Sequence, residues 1–135
     1  MSGETVIQNV FTNPSLGETV PFQEFVEPGR KNVEFFPLYT TDQTGPEGPT
    51  AMLLHYRPGA TNQRHIHPSY ELILVLDGEL VDDNGHYGPG TLLVSPPGSK
   101  HAASSPKGCT ILIIWEKPVQ RLLQEPQEAS VPASA

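Results

Sequence analysis

The chain has 135 residues, with 8 basic and 15 acidic side chains, a formal net charge of −7, 15 prolines and 12 glycines. That length suits one domain with a core of its own and falls short of two, and the negative charge disfavours a phosphate backbone or an anionic lipid surface as partner. No apolar run nears the roughly 20 residues a membrane span needs, MSGETVIQNV lacks the basic and apolar regions of a signal peptide, and the single Cys109 cannot close an internal disulfide, so the sequence reads as a cytoplasmic protein with neither membrane nor nucleic acid as partner.

In chain order, residues 1–31 carry Pro14, Pro21 and Pro28 Gly29, which allow only short extended pieces and suggest an arm that packs on the remainder or on a partner subunit. NVEFFPLYT, 32–40, is aromatic and β-forming, and TDQTGPEGP is turn and loop. TAMLLHYR, 50–57, is a strand that should stop at Pro58 Gly59. ELILVLDG, 71–78, is apolar on both faces and turned by Asp77 Gly78. ELVDDNGHYG carries Asn84 Gly85, a strong hairpin signal, and Gly88 Pro89 Gly90 turns the chain again. TLLVS is a strand, Pro96 to Ser99 a turn, KHAASS a short strand, and CTILIIWEK, 109–117, a long strand rich in β-branched residues. The end, from about residue 119, begins with one possible helical turn and becomes a small-residue, Pro-containing tail expected to be disordered. Many short strands with turns between them predict an all-β sandwich or barrel over 32–118.

Histidines and a glutamate are spaced to share a site. His65, His67 and Glu71 lie two and four residues apart, so on one strand they project from the same face. On a helix His65 and His67 would sit about 200° apart and could not share an ion. The other candidates have simpler readings. His55 precedes Gly59 and reads first as a satisfied surface or core histidine, second as a pocket contact. His86 follows a hairpin turn and reads as solvent-facing. Arg57 and Arg64 flank the cluster and either orient an acidic substrate or stay solvated. Tyr70 has the opposite parity and should point away; Ile111, Ile113 and Trp115 share one face and read as core or pocket wall. Ala102 and Ala103 keep the space beside His101 small, and Cys109 reads as a small core residue.

The spacing Gly59, five residues, His65, one, His67, three, Glu71, six, Gly78, followed by Gly90, five, Pro96, one, Gly98, two, His101, resembles the two motifs of the cupin superfamily. Four residues after that histidine the family usually has Asn, and this chain has Ser105. The resemblance implies a double-stranded β-helix, or jelly-roll, barrel whose mouth holds one divalent transition metal on His65, His67, Glu71 and His101. Three imidazoles and one carboxylate suit Fe(II) or Zn(II), with Ni, Mn and Cu as further options, and leave up to two octahedral positions for a small-molecule substrate. The hairpin DGELVDDNGHYGPG, PPGSKH and GCT are most similar to the small cupins related to ChrR and to the acetylacetone-cleaving dioxygenases. The helical zinc domain of that anti-sigma factor is not expected in this sequence, which offers too few His and Cys residues for it. Three functions are then expected to compete: a non-haem Fe(II) dioxygenase for a diketone or hydroxylated aromatic ketone; a non-redox Zn-type lyase, isomerase or cyclase; and a metal-dependent binding or sensor module. Apolar residues on both faces of 71–78 and 109–117 would leave one set bare on a one-layer wall, so a homodimer is expected to cover it.

Overall fold

Backbone pairing, rather than length of strand, organises this chain. The computed structural model describes residues 3–11, 16 and 20–121; of the tail expected to be disordered from residue 119, Gln120–Arg121 form a short paired strand, and the residues from 122 on, with the expected helical turn, lie outside the described ones. The elements are β1 Gln23–Glu24, β2 Arg30–Tyr39, α1 Thr41–Thr44, β3 Thr50–Asn62, β4 His65–Ile66, β5 Glu71–Gly78, β6 Leu80–Asp82, β7 Gly85–Tyr87, β8 Leu92–Ser95, β9 Lys100–His101, β10 Ser104–Ser105, β11 Cys109–Trp115 and β12 Gln120–Arg121. Nine strands form one curled antiparallel sheet in the order β7-β6-β10-β3-β11-β5-β8, with β2 on the other edge of β3 and β1 on β2. A second sheet, β12-β4-β9, crosses beside it. The result is an all-β jelly-roll half-barrel, as the family resemblance implied.

Several details differ from the sequence expectation. Strand β3 does not stop at Pro58 Gly59 but bends there: up to Tyr56 it pairs with β11, and from Ala60 it pairs with β10. Proline has no N–H to pair, and Gly59 takes φ 88°, so the corner of the sheet falls where neither residue is asked to continue the ladder. The run KHAASS divides into β9 and β10, which join different sheets. The hairpin turns on Asp83 and Asn84, one residue earlier than an Asn-Gly turn would, because Asp82 Oδ1 accepts from the Asn84 backbone N–H at 2.8 Å and Asp82 pairs with Gly85.

The inner face of the sheet packs Met52, Leu54, Tyr56, Ile73, Val75, Leu80, Ile111, Ile113 and Trp115 into the main core. The outer face carries Leu53, Leu74, Leu76 and Leu112, and the N-terminal segment lies over it: Ile7, Val10, Leu16, Val20 and Phe22 belong to that second cluster. The outer surface whose exposure suggested a dimer is therefore largely covered by the chain's own N-terminal residues. What stays exposed is Leu72, Leu92 and Val94, on β5 and the edge strand β8.

Gly78 ends β5 with φ 79°, and a Cβ there would stand 2.1 Å from the Gly108 carbonyl oxygen and 2.6 Å from Cys109 Cα, both backbone atoms that cannot swing aside. Gly78→Ala should lower stability by about 3 kcal/mol, read as a fall in the urea midpoint; an unchanged midpoint would show that the β5–β11 junction tolerates a side chain.

Candidate metal centre

His65, His67, Glu71 and His101 are brought together, all four are buried, and their ligand atoms lie within 4.8 Å of one another. One strand does not carry the first three. His65 is on β4, Glu71 is the first residue of β5, and His67 lies between them in a segment interrupted by Pro68. There the His67 N–H donates to Ser99 O at 3.0 Å and its carbonyl accepts from Gly98 N–H at 2.8 Å, so the PPGS turn holds His67 in place of a β5 ladder. Two cross-strand registers supply the other pairings. His65 stands opposite His101 in the β4–β9 pair, and Glu71 stands opposite Trp115 in the β5–β11 pair.

The three imidazoles meet edge to face, with centroids 4.8 to 4.9 Å apart and interplanar angles of 72°, 85° and 86°, like blades around one point. The partners of their Nδ1 atoms decide which nitrogen faces that point. His65 Nδ1 lies 3.0 Å from the Gln63 carbonyl, which only accepts. His67 Nδ1 lies 2.9 Å from Ser99 Oγ, whose own hydrogen goes to Pro96 O at 2.6 Å, so the hydroxyl accepts from the ring. His101 Nδ1 lies 3.3 Å from Asp82 Oδ2. His65 and His67 thus keep their protons on Nδ1 and turn the Nε2 lone pair inward, and the Nε2 of His101 also faces the cluster, 3.5 Å from Glu71 Oε1. Trp115 donates its indole N–H to Glu71 Oε2, which leaves Oε1 as the inward oxygen.

The consequence is a set of acceptors facing acceptors. His65 Nε2, His67 Nε2 and Glu71 Oε1 are buried without a hydrogen-bond partner, although His67 Nε2 is only 3.2 Å from Glu71 Oε1 and His101 Nε2 only 3.5 Å. An unsatisfied buried polar atom costs about 1–3 kcal/mol, so several in one place are tolerated where a cation can satisfy them together. Three imidazole nitrogens and one carboxylate oxygen converging from buried positions fit a divalent transition metal. Burial pulls the His65 pKa down to about 4, which keeps the ring neutral.

The other sequence candidates are placed outside the cluster. His55 sits on the outer face, with Nδ1 3.0 Å from Thr110 Oγ1 and its ring 5.6 Å from Phe22. Arg57 is held by Glu24 and Glu34, and Arg64 by Asp83. His86 and Tyr70 are exposed. Burial raises the Cys109 thiol to about 11, as expected for an inert core residue. Ser105, at the position where the motif usually has Asn, donates to the Glu79 carbonyl and closes the start of β6 away from the cluster. Trp115 is in the core as expected, but its bond to Glu71 was not foreseen, nor were the roles of Ser99 and Asp82. Only the cupin-like spacing around PPGSKH could have hinted at Ser99; nothing in the sequence pairs Asp82 with His101. A cleft of about 360 Å³ between β8 and the β6–β7 hairpin reaches His101, with Asp82, Tyr87, Leu93, Ser95 and Lys100 among its walls.

The family model described as the ChrR cupin-like domain matches residues 17–119. Comparison with curated proteins gives no match. Among solved structures the chain is similar to the polyketide cyclase RemF from Streptomyces resistomycificus (23% identity over 80% of this chain and 83% of that one, TM-score 0.65). It is also similar to an acetylacetone dioxygenase from Acinetobacter johnsonii (13%, 100% and 89%, TM-score 0.70). The structure of Rhodobacter sphaeroides SigE with the anti-sigma ChrR is a third (24%, 73% and 49%, TM-score 0.58). At these identities the likeness is one of fold.

Because folded His65 holds a proton less tightly than the unfolded chain, unfolding takes up a proton between pH 6.5 and about 4. Its contribution to the stability of metal-free protein is complete above that window and is lost as pH falls through it. Urea midpoints of chelator-treated protein should therefore fall steadily from pH 7 to 4, and His65→Gln should flatten that slope.

Proposed function

The chain belongs to the ChrR cupin-like domain family, and from that membership and the buried cluster we propose that it is a small-molecule enzyme that holds one divalent transition metal on His65, His67, Glu71 and His101, most simply a non-haem Fe(II) dioxygenase cleaving a diketone or hydroxylated aromatic ketone. The observation that carries the metal is the group of inward, partnerless acceptors on His65, His67 and Glu71. An ion bound there supplies a Lewis acid and, if it is Fe(II), a redox partner for dioxygen.

The chain's own residues would supply the remainder. Burial of all four ligands excludes bulk water from the centre. Glu71 contributes the one ligand charge, so the loaded site keeps a positive charge that favours a substrate able to become an enolate or phenolate. The cleft against His101 admits a molecule of modest size, with Leu93 and Tyr87 as apolar walls and Ser95 and Lys100 as polar ones. Likeness to the acetylacetone dioxygenase over the full length of this chain supports the oxidative reading. The higher identity to the polyketide cyclase favours a second reading, a non-redox Zn-type cyclase, lyase or isomerase. Homodimerisation belongs to the same proposal: Leu72, Leu92 and Val94 remain exposed at the β8 edge, where a second copy would cover them, and a monomer in sedimentation at working concentration would remove that part.

Metal analysis of protein purified without a chelating tag, followed by turnover of a diketone panel with and without oxygen, separates the readings. Fe(II)-dependent oxygen uptake supports the dioxygenase; zinc alone with oxygen-independent turnover replaces it with the cyclase class. His101→Ala should reduce metal occupancy severely and leave the barrel folded by circular dichroism, since the core does not depend on the ion. Ser105→Ala should bind metal as the unaltered chain does, because its hydroxyl serves Glu79.

A further inference from the structure

Of the three outward Nδ1 atoms of the cluster, one faces a charged group. His65 turns its Nδ1 to a carbonyl and His67 to a hydroxyl, but His101 turns its Nδ1 to the carboxylate of Asp82. The Asp82 side chain is 4% exposed, and its two oxygens are divided between two tasks. Oδ1 accepts from the Tyr87 hydroxyl at 2.9 Å and from the Asn84 backbone N–H at 2.8 Å, which fixes the carboxylate to the β6–β7 hairpin. Oδ2 is left for His101, 3.3 Å away.

We propose that Asp82, held by Tyr87, is the positioning residue of this centre: it fixes the proton of His101 on Nδ1, aims Nε2 inward, and makes His101 the strongest neutral donor of the set. The inference rests on the metal reading above and deepens it. A carboxylate behind an imidazole fixes its orientation and tautomer and raises the basicity of the far nitrogen. It also adds a negative charge at one remove from the ligands, which disfavours loss of the ion to water. Nothing on β9 itself could do this. The neighbouring Asp83 is occupied by Arg64 and the Ala102 N–H, and Ser99 by His67.

Asp82→Asn tests the point without dismantling the hairpin. The asparagine oxygen can keep the bonds to Tyr87 and Asn84, while its NH2 falls on the His101 side, donor against donor. Co(II) and Zn(II) affinity by chelator competition should weaken about 10- to 100-fold, the visible spectrum of the Co(II) form should shift, and the downfield Nδ1 proton of His101 in the Zn(II) form should move upfield. Asp82→Glu should recover part of the affinity, and Tyr87→Phe should weaken binding a few-fold in the same direction. Thermal midpoints of the metal-free variants establish folding, and if the asparagine variant does not fold, Tyr87→Phe decides. Folded variants with unaltered Co(II) affinity and spectrum overturn the role of Asp82 while leaving the metal site standing. An unaltered chain that binds no Co(II) overturns the metal reading itself.

Discussion

Where three protons sit governs the centre of this protein. A buried imidazole has one N–H and one lone pair, and its environment chooses which faces inward. Gln63 and Ser99 each place an acceptor behind a ring, which keeps its proton there, and the Asp82 carboxylate stands behind the third ring at 3.3 Å. Trp115 does the converse for Glu71, donating to one carboxylate oxygen and leaving the other inward. The result is a small volume enclosed by lone pairs, which an apolar core cannot stabilise and water has little access to. A cation is the species that such a volume suits.

Holding those acceptors in place is the work of two sheets. The β4–β9 register sets His65 against His101, and the β5–β11 register sets Glu71 against Trp115. A slip of one residue in either pair would turn a ligand to the opposite face. The register of β5 is secured by burial on both sides: Ile73 and Val75 enter the main core, while Leu74 and Leu76 are covered by residues from the N-terminal segment. Packing on the outside of the barrel thus fixes the position of a carboxylate on the inside. The hairpin β6–β7 completes the arrangement, since the turn that Asp82 makes with Asn84 also presents its second oxygen to His101.

The fold is shared by proteins described as a cyclase, a dioxygenase and an anti-sigma factor. Fold does not carry function, so what distinguishes such proteins lies in their sites and in the walls around them. In this chain those walls mix Leu93 and Tyr87 with Ser95 and Lys100, a lining that suits a small molecule with both an apolar body and an oxygen-bearing edge.

Which four residues come together was legible in the sequence because motif spacing is a local property: His65, His67 and Glu71 stand two and four residues apart, and His101 follows PPG at a fixed distance. So were the strands β5 and β11, whose apolar runs leave little choice, and the burial of Trp115, Ile111 and Cys109. What the sequence misplaced also has a local cause. Pro58 reads as a stop when pairing can resume beyond it, Pro68 breaks the strand that three ligands were expected to share, and an Asx turn at Asp82 outcompetes an Asn-Gly turn. The partners of the ligands were beyond reach, because Gln63, Ser99, Asp82 and Trp115 act through atoms brought close only by sheet register and by the return of a hairpin. The sequence alone determined which side chains can bind; the tertiary structure decided which of their atoms face inward, since a tautomer depends on what stands behind the ring and no spacing along the chain specifies that.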